Sequence, residues 1–294
     1  LTQKFGLSAA LTTPFKTDGT VDIDAMIAHA RRCLSNGCDS VTLFGTTGEG
    51  CSVGSRERQV ILSRFIEAGV APARLVTGVL MDSIEDAADQ SAEALKAGAR
   101  NILLAPPSYF KNVSDDGLFA WFSAVFEKIG KDARDILVYN IPSVTMVTLS
   151  VELVGRLKKA FPGVVTGVKD SSGNWSHTER LLKEHGDLAI LIGDERDLAK
   201  GVRLGGQGAI SGVANFLTQE VRAMAVDGKD DKRVEDLVVE LLKFPVTPAV
   251  KVLVSHTTGE NIWSDVRAPL VAISPEDRRQ IEGAFDALFR KQAA

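Results

Sequence analysis

The chain has 294 residues, 45% hydrophobic and 24% charged, with 26 glycines and 10 prolines, a balance that excludes a disordered or low-complexity chain. Thirty-four Lys and Arg stand against 38 Asp and Glu, a formal net charge of −4, with no basic stripe or recognisable module, so nucleic acid is excluded as a partner. No apolar run approaches the length of a membrane span and the N-terminal stretch has no apolar leader core, so the expectation is a cytoplasmic protein with no membrane attachment.

Eight short apolar runs recur along the chain, at 7–12, 40–44, 74–79, 101–105, 135–140, 164–169, 188–193 and 208–212. Nearly continuous apolar strands are what a parallel sheet covered by helices on its faces requires. Helical periodicity fills the intervals, at 22–36, 55–69, 83–97, 115–130, 149–160, 175–185, 195–204 and 216–228. In the third of these, Ser83 caps the start, Glu85 and Asp86 suit the positive end of the helix, and Gly98 ends it. Eight strand–helix units in series predict a closed (β/α)8 TIM barrel over residues 1–229. A doubly wound open sheet is the structural rival, but the first strand lacks the G-x-G-x-x-G turn and no reversal point shows. Residues 230–294 read as three more helices, the last starting Ser-Pro-Glu-Asp, and predict a small C-terminal helical layer beside the barrel.

In such a barrel the reactive side chains stand at the C-terminal ends of the strands. The second run ends in Gly-Thr-Thr-Gly-Glu-Gly (45–50), where Thr46 and Thr47 stand among glycines whose backbone N–H groups could converge on a carboxylate or phosphate. The fifth ends at Tyr139, a phenol that could carry a proton or simply cap the core. The sixth ends at Lys169, directly after Val-Val-Thr-Gly-Val. A lysine is rarely carried into a barrel mouth without a reason, and desolvation there frees the amine lone pair to attack a carbonyl. A structural pairing of Lys169 with Asp170 is awkward, because neighbouring strand residues face opposite ways. An amine and a phenol on adjacent strand ends, with polar donors for a carboxylate, are what an imine needs.

The stretches ALTTPF (10–15), GTTGE (45–49), APPSYF (105–110), YNIPS (139–143), GVKDSSGN (167–174) and the segment 193–215, from Gly-Asp to LGGQGAISGVAN, together resemble, in order, the dihydrodipicolinate synthase and N-acetylneuraminate lyase family of Schiff-base lyases. The resemblance spans nearly the whole barrel. It implies that Lys169 forms the imine with pyruvate or another α-keto acid. Tyr139 would carry protons, and Thr46 with Thr47 would hold the keto-acid carboxylate or pass a proton. Tyr109 matches a tyrosine that completes a proton relay in a neighbouring subunit, and Ile210 a residue whose backbone carbonyl looks into the site. It also implies a homo-oligomer, dimer or tetramer, and no cofactor.

One position departs from the pattern. In the synthases an arginine follows the YNIPS-like stretch and binds the far carboxylate of aspartate semialdehyde; here it is Val144, which has no donor. The leading expectation is therefore an aldolase or dehydratase acting on a 2-keto-3-deoxy or 4-hydroxy-2-keto acid. The alternatives are the synthase itself, with a base such as Arg196 substituting, and a non-catalytic keto-acid-binding barrel. The glycines of 204–212 could instead mark a phosphate site, although tight turns and close strand approach explain them better. The histidines at 29, 177, 185 and 256 lack ligand spacing, so no metal is expected. Cys33, Cys38 and Cys51 have no C-x-x-C spacing and suit a reducing compartment.

Overall fold

The computed structural model describes residues 4–290. Eight parallel strands close into a barrel in chain order: β1 Gly6–Ala10, β2 Ser40–Leu43, β3 Leu75–Val79, β4 Asn101–Leu104, β5 Ile136–Asn140, β6 Val165–Asp170, β7 Ala189–Ile192 and β8 Gly208–Ser211. The helices following the first four strands are α1 Ile23–Ser35, α2 Ser55–Glu67, α3 Ile84–Lys96 and α4 Asp115–Ile129. A single helical turn, α5 Pro142–Thr145, and then α6 Val151–Ala160 follow β5; α7 Trp175–Glu184, α8 Glu195–Arg203 and α9 Thr218–Asp227 complete the ring. The closed order rules out the open-sheet rival, and each expected strand and helix is present within two residues of its predicted bounds.

Alternation along each strand sorts the side chains into two cores. Leu137, Tyr139, Leu191, Ile210, Ala10, Val76 and Leu103 fill the barrel interior, while Val138, Val168, Ile190 and Leu104 pack outward against the helices. The barrel closes where β1 pairs with β8, and Gly208 makes that possible. It sits at φ +133°, and a Cβ there would lie 1.9 Å from the Gly6 carbonyl oxygen. That is the close-approach reading of the glycine-rich stretch. Phe122 and Phe126 are buried on α4, and Trp121 donates its indole N–H to the Asp82 carbonyl at 2.9 Å, so this aromatic group packs a helix.

Beyond α9, helices α10 Lys232–Leu241, α11 Val246–Thr258 and α12 Pro275–Phe289 form the C-terminal layer, α10 packing on α8 and α12 on both α10 and α11. Residue 229 lies between α9 and α10. Asn215, after β8, ties the seam together: its amide donates to the carbonyls of Ala10 and Gly212, each at 2.8 Å, and its oxygen accepts from the Thr12 N–H at 3.2 Å and lies 3.0 Å from His29 Nε2. Among the described residues no helix is long and apolar enough to cross a membrane.

His29 on α1 is buried against Trp263, and burial holds its imidazole neutral, with a pKa pushed down to about 4. Between about pH 6.5 and pH 4 the unfolded chain binds a proton that the folded chain refuses. Stability therefore falls as pH drops through that window, by on the order of 3 kcal/mol from this group. His29→Gln keeps a neutral donor for Asn215 and removes the titration. Unfolding free energies from guanidinium titrations should fall less for the variant than for the wild type between pH 6.5 and pH 4, and parallel losses would contradict the assignment.

Candidate active site

The pairing of β5 with β6 sets Tyr139 opposite Lys169 and Asn140 opposite Asp170. Both members of the first pair point into the barrel and both members of the second point out. Lys169 is 6% exposed and Tyr139 2%, and Lys169 Nζ donates to the Tyr139 hydroxyl at 3.3 Å while lying 4.5 Å from the ring centroid. The Tyr139 hydroxyl is in turn 3.4 Å from Thr46 Oγ1. An amine, a phenol and an alcohol thus form a short relay, in which a proton leaving one oxygen or nitrogen has an adjacent acceptor.

Asp170 has its own partners on the outer face. Its carboxylate accepts from Asn140 Nδ2 at 2.9 Å, from the Thr178 hydroxyl on α7 at 2.6 Å and from the Ser172 N–H at 3.2 Å. Asn140 Oδ1 accepts the Leu149 N–H at 3.0 Å. The bland pairing of Lys169 with Asp170 does not occur. The Asp170 network instead anchors the ends of β5 and β6, and with them the amine and the phenol.

The loop after β2 is held tightly. Phe44 and Glu49 occupy left-handed backbone conformations, at φ 60° and 52°, which cost non-glycine residues about 1–3 kcal/mol each and concentrate at functional sites. Gly50 is required there, since a Cβ on it would lie 1.9 Å from the Phe44 carbonyl oxygen. Arg58 on α2 is buried beneath the loop, donating to the carbonyls of Val53 at 3.0 Å, Gly78 at 2.7 Å and Gly50 at 2.6 Å. Thr13, from the ALTTPF stretch, donates its hydroxyl to the Gly48 carbonyl at 2.7 Å.

Thr46, Thr47, Tyr139, Lys169 and Ile210 line one cavity of about 330 Å³ at the C-terminal end of the barrel, a size suited to a small metabolite. Its polar wall is Ser171, Ser172, Asp194, Glu195 and Arg196; its apolar wall is Ile141, Val144, Val213, Leu242, Val246 and Val250. Glu195 is buried, accepts the Ser211 hydroxyl at 2.6 Å, and burial raises its pKa, with the Lys169 charge opposing. Arg196 lies at the rim, where it donates to Asp194 at 2.9 Å. Val144 is 57% exposed on α5.

Tyr109 stands apart from this cavity within its own chain: it is 77% exposed, edge-on to Phe110, with its backbone N–H on Asp82 at 3.2 Å. Trp175 does not line the cavity either; Lys200 lies 3.6 Å over its ring. Cys33 and Cys38 are buried, with burial pushing the Cys33 thiol up to about 12, and neither lines the cavity. Sequence reasoning assigned no role to Asn140, Thr178 or Arg58, and left the C-terminal helices either to shield the mouth or to support an oligomer; α10 and α11 line the cavity. It also passed over Lys251, which stands in an apolar helical run and carries the same signal that singles out Lys169.

A parallel barrel with a buried amine at its mouth is the architecture of enzymes that activate carbonyl compounds covalently. The chain matches the model of the dihydrodipicolinate synthetase family over residues 3–288 and belongs to that family. It is 94% identical, with a TM-score of 0.97, to the crystal structure of dihydrodipicolinate synthase from Agrobacterium tumefaciens str. C58, covering 98% of this chain and 100% of that one. It is 32% identical over 299 residues to the 4-hydroxy-tetrahydrodipicolinate synthase of Sorangium cellulosum, covering 98% of this chain and 97% of the relative. An uncharacterized DapA-like lyase of Chloroflexus aurantiacus is 29% identical over 295 residues, 97% of each chain. The protein is accordingly a class I, Schiff-base lyase acting on keto acids, and the non-catalytic reading is set aside. The relatives support the synthase alternative better than the aldolase or dehydratase expectation.

The relay geometry makes a direct prediction. Tyr139→Phe removes the hydroxyl between Lys169 and Thr46 while keeping the ring, and should lower kcat by about 10²- to 10⁴-fold with little change in thermal stability. Steady-state kinetics beside a melting curve check it; undiminished turnover would remove Tyr139 from the proton path.

Proposed function

We propose that the chain condenses pyruvate with aspartate semialdehyde, the 4-hydroxy-tetrahydrodipicolinate synthase reaction, through an imine on Lys169. The observation that carries this reading is the Lys169–Tyr139 contact of 3.3 Å inside the cavity, in a chain with 94% identity to a dihydrodipicolinate synthase. In this reading the Lys169 amine attacks the C2 carbonyl of pyruvate, and the carbinolamine expels water as Tyr139 returns a proton to the leaving oxygen. Loss of a C3 proton then gives the enamine, whose electrons add to the aldehyde carbon. Attack by the substrate's own amine on the imine carbon releases Lys169 and closes the ring.

Thr46 and Thr47 hold the pyruvate carboxylate and connect Tyr139 to the donor side, and the Ile210 carbonyl faces the reacting centre. Arg196 takes the far carboxylate that Val144 cannot bind. It is the guanidinium in the cavity lining, and it would exchange its intramolecular partner Asp194 for the substrate. Tyr109 completes the relay in a second subunit of a homodimer or tetramer located in the cytoplasm. No cofactor or metal takes part, and residues 230–294 serve the barrel of residues 1–229 as a helical layer.

Val144 favours a second reading: cleavage or dehydration of a 2-keto-3-deoxy or 4-hydroxy-2-keto acid through the same imine. Such a substrate needs no carboxylate clamp at residue 144, and its hydroxyls would meet Ser171, Ser172 and Asp194. Parallel assays decide between them. Turnover of pyruvate with aspartate semialdehyde, lost on Arg196→Ala through a rise in KM of about 10-fold or more, supports the synthase. Pyruvate release from 2-keto-3-deoxy sugar acids without synthase turnover supports the aldolase.

A further inference from the structure

Lys251 lies in the middle of α11, within the apolar stretch Ala-Val-Lys-Val-Leu, yet it does not snorkel to the surface: its side chain is 1% exposed and that of its partner, Glu49, 0%. Glu49 belongs to the Gly-Thr-Thr-Gly-Glu-Gly loop. One carboxylate oxygen meets the Lys251 ammonium, and the other accepts the Arg267 N–H at 3.0 Å. Lys251 Nζ also donates to the Asp265 carbonyl at 2.6 Å and sits 4.5 Å from the Phe15 ring centroid. Arg267 lies 4.6 Å from the same ring and spans the outside of the loop, donating to the Ser52 carbonyl at 2.8 Å, to Glu57 at 2.7 Å and to the Gly19 carbonyl at 2.6 Å. None of these three side chains lines the cavity.

A buried ion pair is a poor way to gain stability, because desolvation cancels most of the attraction and an apolar pair of similar volume often serves as well. What it supplies instead is direction, and here the direction bears on the threonines. Glu49 closes its own turn, donating its backbone N–H to the Thr46 carbonyl at 3.1 Å. That carbonyl also lies 3.3 Å from the Thr247 hydroxyl on α11. The C-terminal layer therefore grips the loop twice, at Glu49 through Lys251 and at Thr46 through Thr247. The left-handed conformation of Glu49, at φ 52°, is held in place by those contacts.

We propose that Glu49, Lys251 and Thr247 are positioning residues, through which the C-terminal helical layer sets the place of Thr46 and Thr47 relative to Tyr139 and Lys169. The C-terminal helices then serve the catalytic apparatus twice, as a wall of the cavity and, through Glu49 and Lys251, from outside it. The inference rests on the roles given above to Thr46 and Thr47, and its test separates the two.

The double variant Glu49→Gln with Lys251→Met removes both charges and keeps the volume. Amide hydrogen exchange reads the loop whatever the chemistry. Residues 45–50 should exchange about 10-fold faster or more in the folded variant, with β5 and β6 unchanged. Kinetics read the consequence: KM for pyruvate should rise and the rate of imine formation should fall, together by about 10- to 100-fold, with the melting temperature little changed. Unaltered exchange and wild-type kinetics in a folded double variant overturn the proposal. Faster exchange with no imine in the wild type leaves the positioning standing and overturns the imine reading instead. Should the double variant not fold, Thr247→Val carries the same test with only a hydroxyl removed. Faster exchange of residues 45–50 together with a several-fold rise in KM at unchanged melting temperature supports the proposal, and unaltered exchange overturns it.

Discussion

An amine that must be both buried and reachable can be placed in few ways, and the lateral pairing of β5 with β6 is the one on which the rest of this molecule depends. Parallel strands in register present the same face at the same height, so placing Tyr139 opposite Lys169 puts phenol and amine together at the mouth. The floor beneath them has to be small: a Cβ on Gly167 would lie 2.5 Å from the Ala189 carbonyl oxygen and 2.7 Å from Leu137 Cδ2. The outward pair, Asn140 and Asp170, completes the device from behind by fixing both strand ends to α7 and to the loop that follows. A buried carboxylate with three donors is a rigid anchor, and it holds the strands that carry Tyr139 and Lys169 without entering the cavity.

The second constraint comes from the far end of the chain. A barrel of eight units is closed by hydrogen bonds alone, yet its mouth is open, and α10 and α11 supply the wall that narrows it through Leu242, Val246, Thr247 and Val250. The loop carrying Thr46 and Thr47 is strained at Phe44 and Glu49 and is gripped from below by Arg58 and from the side by Lys251 and Arg267. Strain of this kind persists only where surrounding contacts over-determine it. The charges that hold this loop do not line the cavity.

Most of the fold was legible in the sequence because its signals are local. Apolar runs alternate with amphipathic segments, and each strand ends where a chemically distinct residue appears, so the eight units and the prominence of Lys169, Tyr139 and Thr46 follow from reading along the chain. Strand alternation alone made an Asp170 pairing awkward, and the Thr178–Asp170 bond shows where that carboxylate went. What could not be read were contacts that no strand-end rule places. Glu49 and Lys251 are 202 positions apart, by subtraction of their numbers, and Arg58 meets the loop only after α2 has folded back on it. Lys251 still left a trace, a lysine inside an apolar helical run. Val144 was legible as a departure but not its setting, a rim that also holds Arg196 already paired with Asp194.

The central claim is that the buried amine of Lys169 bonds covalently to the keto acid, and reductive trapping tests it most directly. The folded protein is incubated with pyruvate and borohydride, digested, and its peptides weighed. The account predicts a single reduced pyruvyl adduct on Lys169, absent in Lys169→Ala. An adduct on another lysine, or none with pyruvate in excess, would contradict it.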